Sequence, residues 1–155
     1  MVFLHTPAGN GKVREASAKS TALADLTFSS DLSAVIFGYL PDWEYPNAAG
    51  YLRYDLLSHI AAFDFTVSVA GYISNPSYWP WTDIINAAHQ NGVKVIMTLV
   101  NFNRDEIRVI LTDETVKNTL FTNIKTKLLQ YQLDGVNVDF ESLYTDDRGS
   151  LLNEF

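Results

Sequence analysis

Residues 133–141 read Leu133-Asp134-Gly135-Val136-Asn137-Val138-Asp139-Phe140-Glu141, and the alternation within this stretch decides the fold. Side chains of an extended strand point to opposite faces in turn, so Asn137, Asp139 and Glu141 share one face while Val136, Val138 and Phe140 share the other. A strand buried on both faces is nearly all apolar, and a row of Asn, Asp and Glu on one face carries a desolvation cost that needs a reason. Three readings supply one. The row is a structural hydrogen-bond network or a solvated edge strand. Alternatively it is a set of acid groups inside a barrel, where close carboxylates cannot both ionise cheaply and one keeps the proton that a general acid needs. The third reading, a hard-cation site, suits clustered oxygen ligands but fits poorly to spacing along one strand with no further carboxylate nearby.

Working outward, three more apolar runs precede this one: Ala34 to Leu40, His59 to Phe65 and Val93 to Val100. Between the second and third, Ile84, Ile85 and Ala88 recur at helical spacing, and Asn91-Gly92 supplies a helix stop. Between the third and fourth, Asp113 can cap a helix in which Val116, Leu120, Ile124 and Leu128 recur every four residues. The predicted order is strand, connection, strand, helix, strand, helix, strand. Parallel strands need long crossovers, so this alternation predicts an α/β fold with a parallel sheet. Residues 1–32, rich in Ala, Ser, Thr and Gly without periodicity, read as a poorly ordered leader or linker, and 33–155 as the folded part.

Composition narrows the function classes. Eighteen acidic against 11 basic residues give a net charge of −7, which argues against a phosphate-backbone partner, because that affinity comes from clustered Lys and Arg. The absence of cysteine excludes disulfides and thiolate metal sites. Residues 1–22 lack the charged-then-apolar pattern of a signal peptide, and no stretch reaches the roughly 18 apolar residues of a membrane span. His5, His59 and His89 show no ligand spacing.

Asp134 to Glu141, DGVNVDFE, resembles the DGxDxDxE signature of glycoside hydrolase family 18, the chitinases and related N-acetylglucosaminidases. The resemblance extends to VIFGYLPDW as a first strand, LLSHIAAFDF as a second, and the Asp113 to Gly135 segment as the third helix leading into the catalytic strand. It implies the N-terminal half, about four β/α units, of a TIM (β/α)8 barrel, with the active site at the C-terminal ends of the strands. It also implies retaining hydrolysis of β-1,4-linked N-acetylglucosamine glycans, in which the substrate's own N-acetyl group is the nucleophile. Carried over by position, Glu141 protonates the glycosidic oxygen and Asp139 orients the acetamido group. Asn137 stands where the family usually has Asp, so its part is reduced to hydrogen bonding. No cofactor or metal is implied.

For Asp134 and Gly135 the structural reading dominates, as strand start and close-packing residue. Tyr39 matches a position lining the sugar pocket, or is a buried Tyr with a satisfied hydroxyl. On the third strand, where many chitinases have Ser-x-Gly-Gly, this chain has Thr98, Leu99, Val100, Asn101 and Phe102. Together with DGVNVDFES, this TLVNF segment looks closer to the spore-cortex and LysM-associated branch of the family, a resemblance that adds peptidoglycan-type glycans to chitin as expected substrates. Asn101 either hydrogen-bonds a sugar or ends the strand. Among Trp43, Tyr45, Tyr78, Trp79 and Trp81, Trp43 is the best candidate for a sugar platform, because it follows strand one on the implied active-site side.

A complete barrel needs roughly 250 residues, so strands five to eight are expected outside this chain. A half-barrel with two open edges predicts self-association or pairing with a complementary half-barrel. The expected partner is an N-acetylglucosamine-containing oligosaccharide or polysaccharide, with no nucleic acid and no membrane, and the expected location is secreted or cell-envelope. A non-catalytic sugar-binding relative and an inactive self-associating fragment stay open beside the enzyme.

Overall fold

The computed structural model describes residues 34–155, so the leader read at 1–32 lies outside the described residues. Four strands form one sheet in the order β1-β2-β3-β4, with every neighbouring pair parallel. They are β1 (Phe37–Pro41), β2 (His59–Thr66), β3 (Lys94–Asn101) and β4 (Gly135–Phe140). The connections carry α1 (Thr82–Gln90) between β2 and β3, then α2 (Arg104–Thr112) and α3 (Glu114–Tyr131) between β3 and β4, with a short α4 (Ser150–Glu154) at the end. The β1 to β2 connection is made of two short 3-10 turns, Asn47–Tyr51 and Tyr54–Leu56.

The predicted α/β class with parallel strands is therefore observed, with two differences in detail. The first strand begins at Phe37, the pairing partner of His59, instead of Ala34: the Ile36 carbonyl still accepts from the Ser58 and His59 N–H groups, but its own N–H donates to the Ser58 hydroxyl in place of a strand carbonyl. Helix α2 is absent from the predicted order. Its signals are nonetheless present: Asn103 accepts at Oδ1 from the backbone N–H of Asp105 and Glu106, and Ile107, Ile110 and Leu111 form its buried stripe. Asp113 caps α3 as read from the sequence, accepting from Thr115 and Val116.

The core lies between one face of the sheet and the helices. In register, Leu40, Ala62, Met97 and Val136 form a row across all four strands. The first three are buried and pack with Ile84, Ile85 and Ala88 of α1, Ile110 of α2 and Leu120 of α3. Leu120 is the single buried residue of the eighteen in α3, and the half-buried Val116, Ile124, Leu128 and Tyr131 pack beside it against the core. The loop after β2 meets the same helix closely: Gly71 has φ +79, and a Cβ there would lie 2.6 Å from the Val116 carbonyl oxygen.

The other face carries the polar row. Thr98 pairs with Asn137 and Val100 with Asp139, so these side chains stand together on the face away from the helices. This face is strongly curved. Strands β1 and β4 are three steps apart, which in a flat sheet places them about 14 Å apart at about 4.8 Å per step. Even so, the Asn137 amide Nδ2 donates to the Tyr39 hydroxyl at 3.2 Å. Contact between the outermost strands requires a curl toward the polar face, making it the concave one, as in a barrel wall. No helix among the described residues is long and apolar enough to cross a membrane.

Candidate active site

Strand β4 enters the sheet through Asp134 and Gly135. The Asp134 backbone N–H donates to the Val95 carbonyl at 2.8 Å, its Oδ2 accepts from the Val95 N–H at 2.7 Å, and His89 Nε2 lies 2.9 Å from the same oxygen. A Cβ at Gly135 would meet Ile96 at 3.3 Å, so the missing side chain allows β4 to sit tightly against β3. This anchored start sets the parity of the whole strand. Asn137 and Asp139 stand half-buried on the concave face, and Glu141 is the first residue past the strand, exposed at its C-terminal end. The Glu141 backbone N–H donates to the Asn101 carbonyl at 3.1 Å, extending the β3–β4 pairing by one bond.

Asn137 is tied to Tyr39 across the concavity. Beside it, the hydroxyl of Thr98 is buried without a hydrogen-bond partner among the described residues. Strands β1 and β2 line the opposite wall with aromatic rings. Phe37 meets Tyr39 edge-on at 5.3 Å, Tyr39 meets Phe63 at 6.3 Å, and Trp43 meets Phe63 at 5.9 Å. Tyr39 and Trp43 remain 53 % and 62 % exposed, so their ring surface is available to a ligand. The structure thus brings Tyr39, Asn137 and Asp139 to one concave face and places Trp43 and Glu141 at its C-terminal rim.

Asn101 is differently engaged. Its Nδ2 donates to the Val67 carbonyl at 2.8 Å and to Glu106 at 3.0 Å, while its Oδ1 accepts from the Asn103 N–H at 2.8 Å. Both amide hydrogens are committed inside the protein, and the residue is 5 % exposed, which supports the strand-ending alternative over sugar contact. Trp81 is 1 % exposed and stacks on Tyr45 at 4.9 Å, and Trp79 packs between Phe65 and Tyr131, so both are internal anchors.

Two carboxyl groups at this rim escape a reading of the sequence. Asp42 directly follows β1, and Ser77 donates to it from Oγ at 2.6 Å and from its backbone N–H at 2.9 Å, which holds its carboxyl below the usual range. Asp64, in β2, is half-buried, and burial first and the negative charge of Asp42 second push its carboxyl upward. Their proximity depends on the β1–β2 register, since the Asp42 N–H donates to the Phe63 carbonyl at 2.8 Å. A spacing of 22 residues carries no local signal of it. Among the described residues, no group of three His, Cys, Asp or Glu side chains is arranged to hold a metal ion.

No family model matches the chain. The cortical fragment-lytic enzyme of Bacillus cereus is 33 % identical over 97 residues, covering 59 % of this chain and 22 % of that one. The crystal structure of a Bacteroides thetaiotaomicron chitinase superposes with a TM-score of 0.66 at 26 % identity, over 74 % of this chain and 38 % of that one. The Bacillus cereus spore cortex-lytic enzyme SleL gives 0.66 at 27 %, over 76 % and 30 %. The chain is similar to family 18 chitinases and spore cortex-lytic enzymes. Both sets of relatives agree with the resemblance carried by DGVNVDFE and by the third strand. The chain spans about a fifth of the length of the curated relatives and between 30 % and 38 % of these solved chains. The family 18 neighbours are barrels, and the four parallel strands of this chain correspond to part of one.

Proposed function

We propose that residues 34–155 supply the catalytic strand and one wall of the glycan cleft of a retaining hydrolase acting on β-1,4-linked N-acetylglucosamine glycans, of chitin or peptidoglycan type. The observation that carries this reading is the placement of Asp139 beside Asn137 on the concave face, with Glu141 at the C-terminal end of the same strand and exposed aromatic rings opposite. Such a cleft gives apolar ring faces for pyranose rings and carboxyl groups for the bond between them.

In the proposed reaction Glu141 gives its proton to the glycosidic oxygen, and the C1–O bond to the departing sugar breaks. The acetamido oxygen of the substrate bonds to C1, and Asp139 orients that group and balances the positive charge of the cyclic intermediate. Water then adds to C1 from the side the leaving group left, returning its proton to Glu141, so configuration is retained. Asn137 contributes a neutral hydrogen bond to Tyr39 beside Asp139. Strands β1 and β4 are the outer strands of the described sheet, and pairing of further strands or of a second copy along their edges belongs to this reading.

The test follows the anomeric proton of the first product by NMR, using N-acetylated and de-N-acetylated oligosaccharides of equal length. The expected result is a β-anomer from the N-acetylated substrate only. An α-anomer, or equal cleavage of both substrates, contradicts substrate assistance.

A further inference from the structure

The turn that follows Glu141 is gripped by helix α2, the element that interrupts the β3 to β4 crossover. Ser142 adopts φ +67, a left-handed conformation unusual for a residue with a side chain, and this turns the chain sharply as it leaves the strand. Four residues of α2 then reach it or the strand end beside it. The Tyr144 hydroxyl donates to Asp105 Oδ1 at 2.5 Å. Arg108 donates to both carboxylate oxygens of Asp147 at 2.8–3.1 Å, while its guanidinium lies 4.1 Å from the Tyr144 ring centroid. Glu106 accepts from Asn101, whose carbonyl in turn accepts the Glu141 N–H.

Asp147 is 4 % exposed, so its charge is removed from water and depends on the two-pronged pairing with Arg108. Arg104 adds a second guanidinium over the Tyr144 ring at 5.2 Å. Glu141 is therefore flanked by residues fixed to one helix: Asn101 on the neighbouring strand β3 through Glu106, and Tyr144 and Asp147, which follow it in the chain, through Asp105 and Arg108.

We infer that α2 is a brace for the turn bearing Glu141, and that Arg108, Tyr144 and Asp147 are positioning residues that hold the carboxyl over the concave face. None of the three needs to touch a ligand. That Glu141 is the proton donor rests on the function proposed above, whereas the brace stands on the contacts alone.

The test compares Asp147→Asn and Tyr144→Phe with the unaltered chain, reading amide hydrogen exchange residue by residue and hydrolysis of N-acetyl-chitooligosaccharide in parallel. Expected is faster exchange, by roughly tenfold or more, at the amide of Glu141, bonded to the Asn101 carbonyl, and at that of position 147, bonded to the Tyr144 carbonyl, with Ala61 and Met97 unchanged, because the effect is a local opening. A misplaced catalytic group lowers turnover, so kcat is expected to fall by on the order of tenfold or more while KM moves by less than about twofold. Tyr144→Phe removes one hydroxyl and keeps the measurement readable if Asp147→Asn fails to fold. Unchanged exchange at those two amides in a folded variant overturns the brace. So does acceleration spread evenly over β2 and β3, which makes the pair a general stabilising contact. Local loosening with no hydrolysis by the unaltered chain supports the brace and removes the hydrolase reading instead.

Discussion

The Asn137 amide donates to the Tyr39 hydroxyl although the two residues belong to the outermost strands of a four-stranded sheet and lie 98 positions apart. The bond spans the concavity of the curved sheet and joins its β1 side to the β4 side that carries Asp139. Both partners are partly solvated, so the bond itself is worth about 0.5–1 kcal/mol. A double-mutant cycle of Tyr39→Phe with Asn137→Ala, read by urea unfolding, is expected to show coupling of about 0.5 kcal/mol or more. Strict additivity would contradict the bond.

Leu120 is the one fully buried side chain of helix α3, at the centre of a stripe with the half-buried Val116, Ile124 and Leu128, which makes stability sensitive to that position. Leu120→Ala removes a fully buried side chain facing the sheet and is expected to cost about 2–5 kcal/mol, with the higher end reached if the space does not collapse. Leu129→Ala, at a position 72 % exposed on the same helix, is expected to change stability by less than about 0.5 kcal/mol. Chemical denaturation of the two variants side by side checks the contrast, and equal effects would contradict the placement of α3.

Asp64 and Asp42 make opposite contributions to the pH dependence of stability. The Asp64 carboxyl is raised, so the folded chain holds that proton to a higher pH than the unfolded chain does. Its contribution is fully present below the ordinary value of 3.8 and is lost as pH rises through the folded value. Asp42 is lowered by the Ser77 hydrogen bonds, so its contribution is present above the ordinary value and is lost as pH falls through the folded one. Asp64→Asn removes only the first effect. The stability difference between variant and native chain is therefore expected to grow in the variant's favour as pH rises above 3.8 and to level off once the native carboxyl has ionised, measured by thermal or urea unfolding. A difference that is constant with pH contradicts the raised carboxyl.

Much of this architecture is legible in the sequence because its strands are long apolar runs separated by capped helices. The α/β class, the strand order and the parity of β4 all rest on local pattern, and Asp113 announces α3 through the ordinary chemistry of a cap. The Ser58 hydroxyl that takes the Ile36 N–H in place of a strand carbonyl has no local signature, so the apolar run overstates the start of that strand by three residues. Helix α2 carries a readable Asn103 cap and an apolar stripe, yet it is short and directly abuts the stronger signal of α3.

Contacts within the site are less accessible to sequence. The Asn137–Tyr39 bond, the Asp42 and Asp64 neighbourhood and the grip of Arg108 on Asp147 join residues 98, 22 and 39 positions apart, and only the register of the sheet and the packing of α2 bring them together. Aromatic content is equally ambiguous in one dimension: Trp43 is an exposed ring on the concave side, while Trp81, an equal candidate by composition, is sealed in the core.

The most direct test of the central claim is mass-spectrometric product analysis of N-acetyl-chitooligosaccharides and peptidoglycan glycans incubated with this chain and with its Glu141→Gln variant at equal concentration. Gln keeps the shape of Glu and cannot donate a carboxyl proton, so the expected result is product from the native chain and a loss of about 100-fold or more in the variant, the scale of general acid catalysis. Equal product from both would contradict the assignment of Glu141 as proton donor, and saturable glycan binding without product from either would leave a sugar-binding wall in place of a catalytic one.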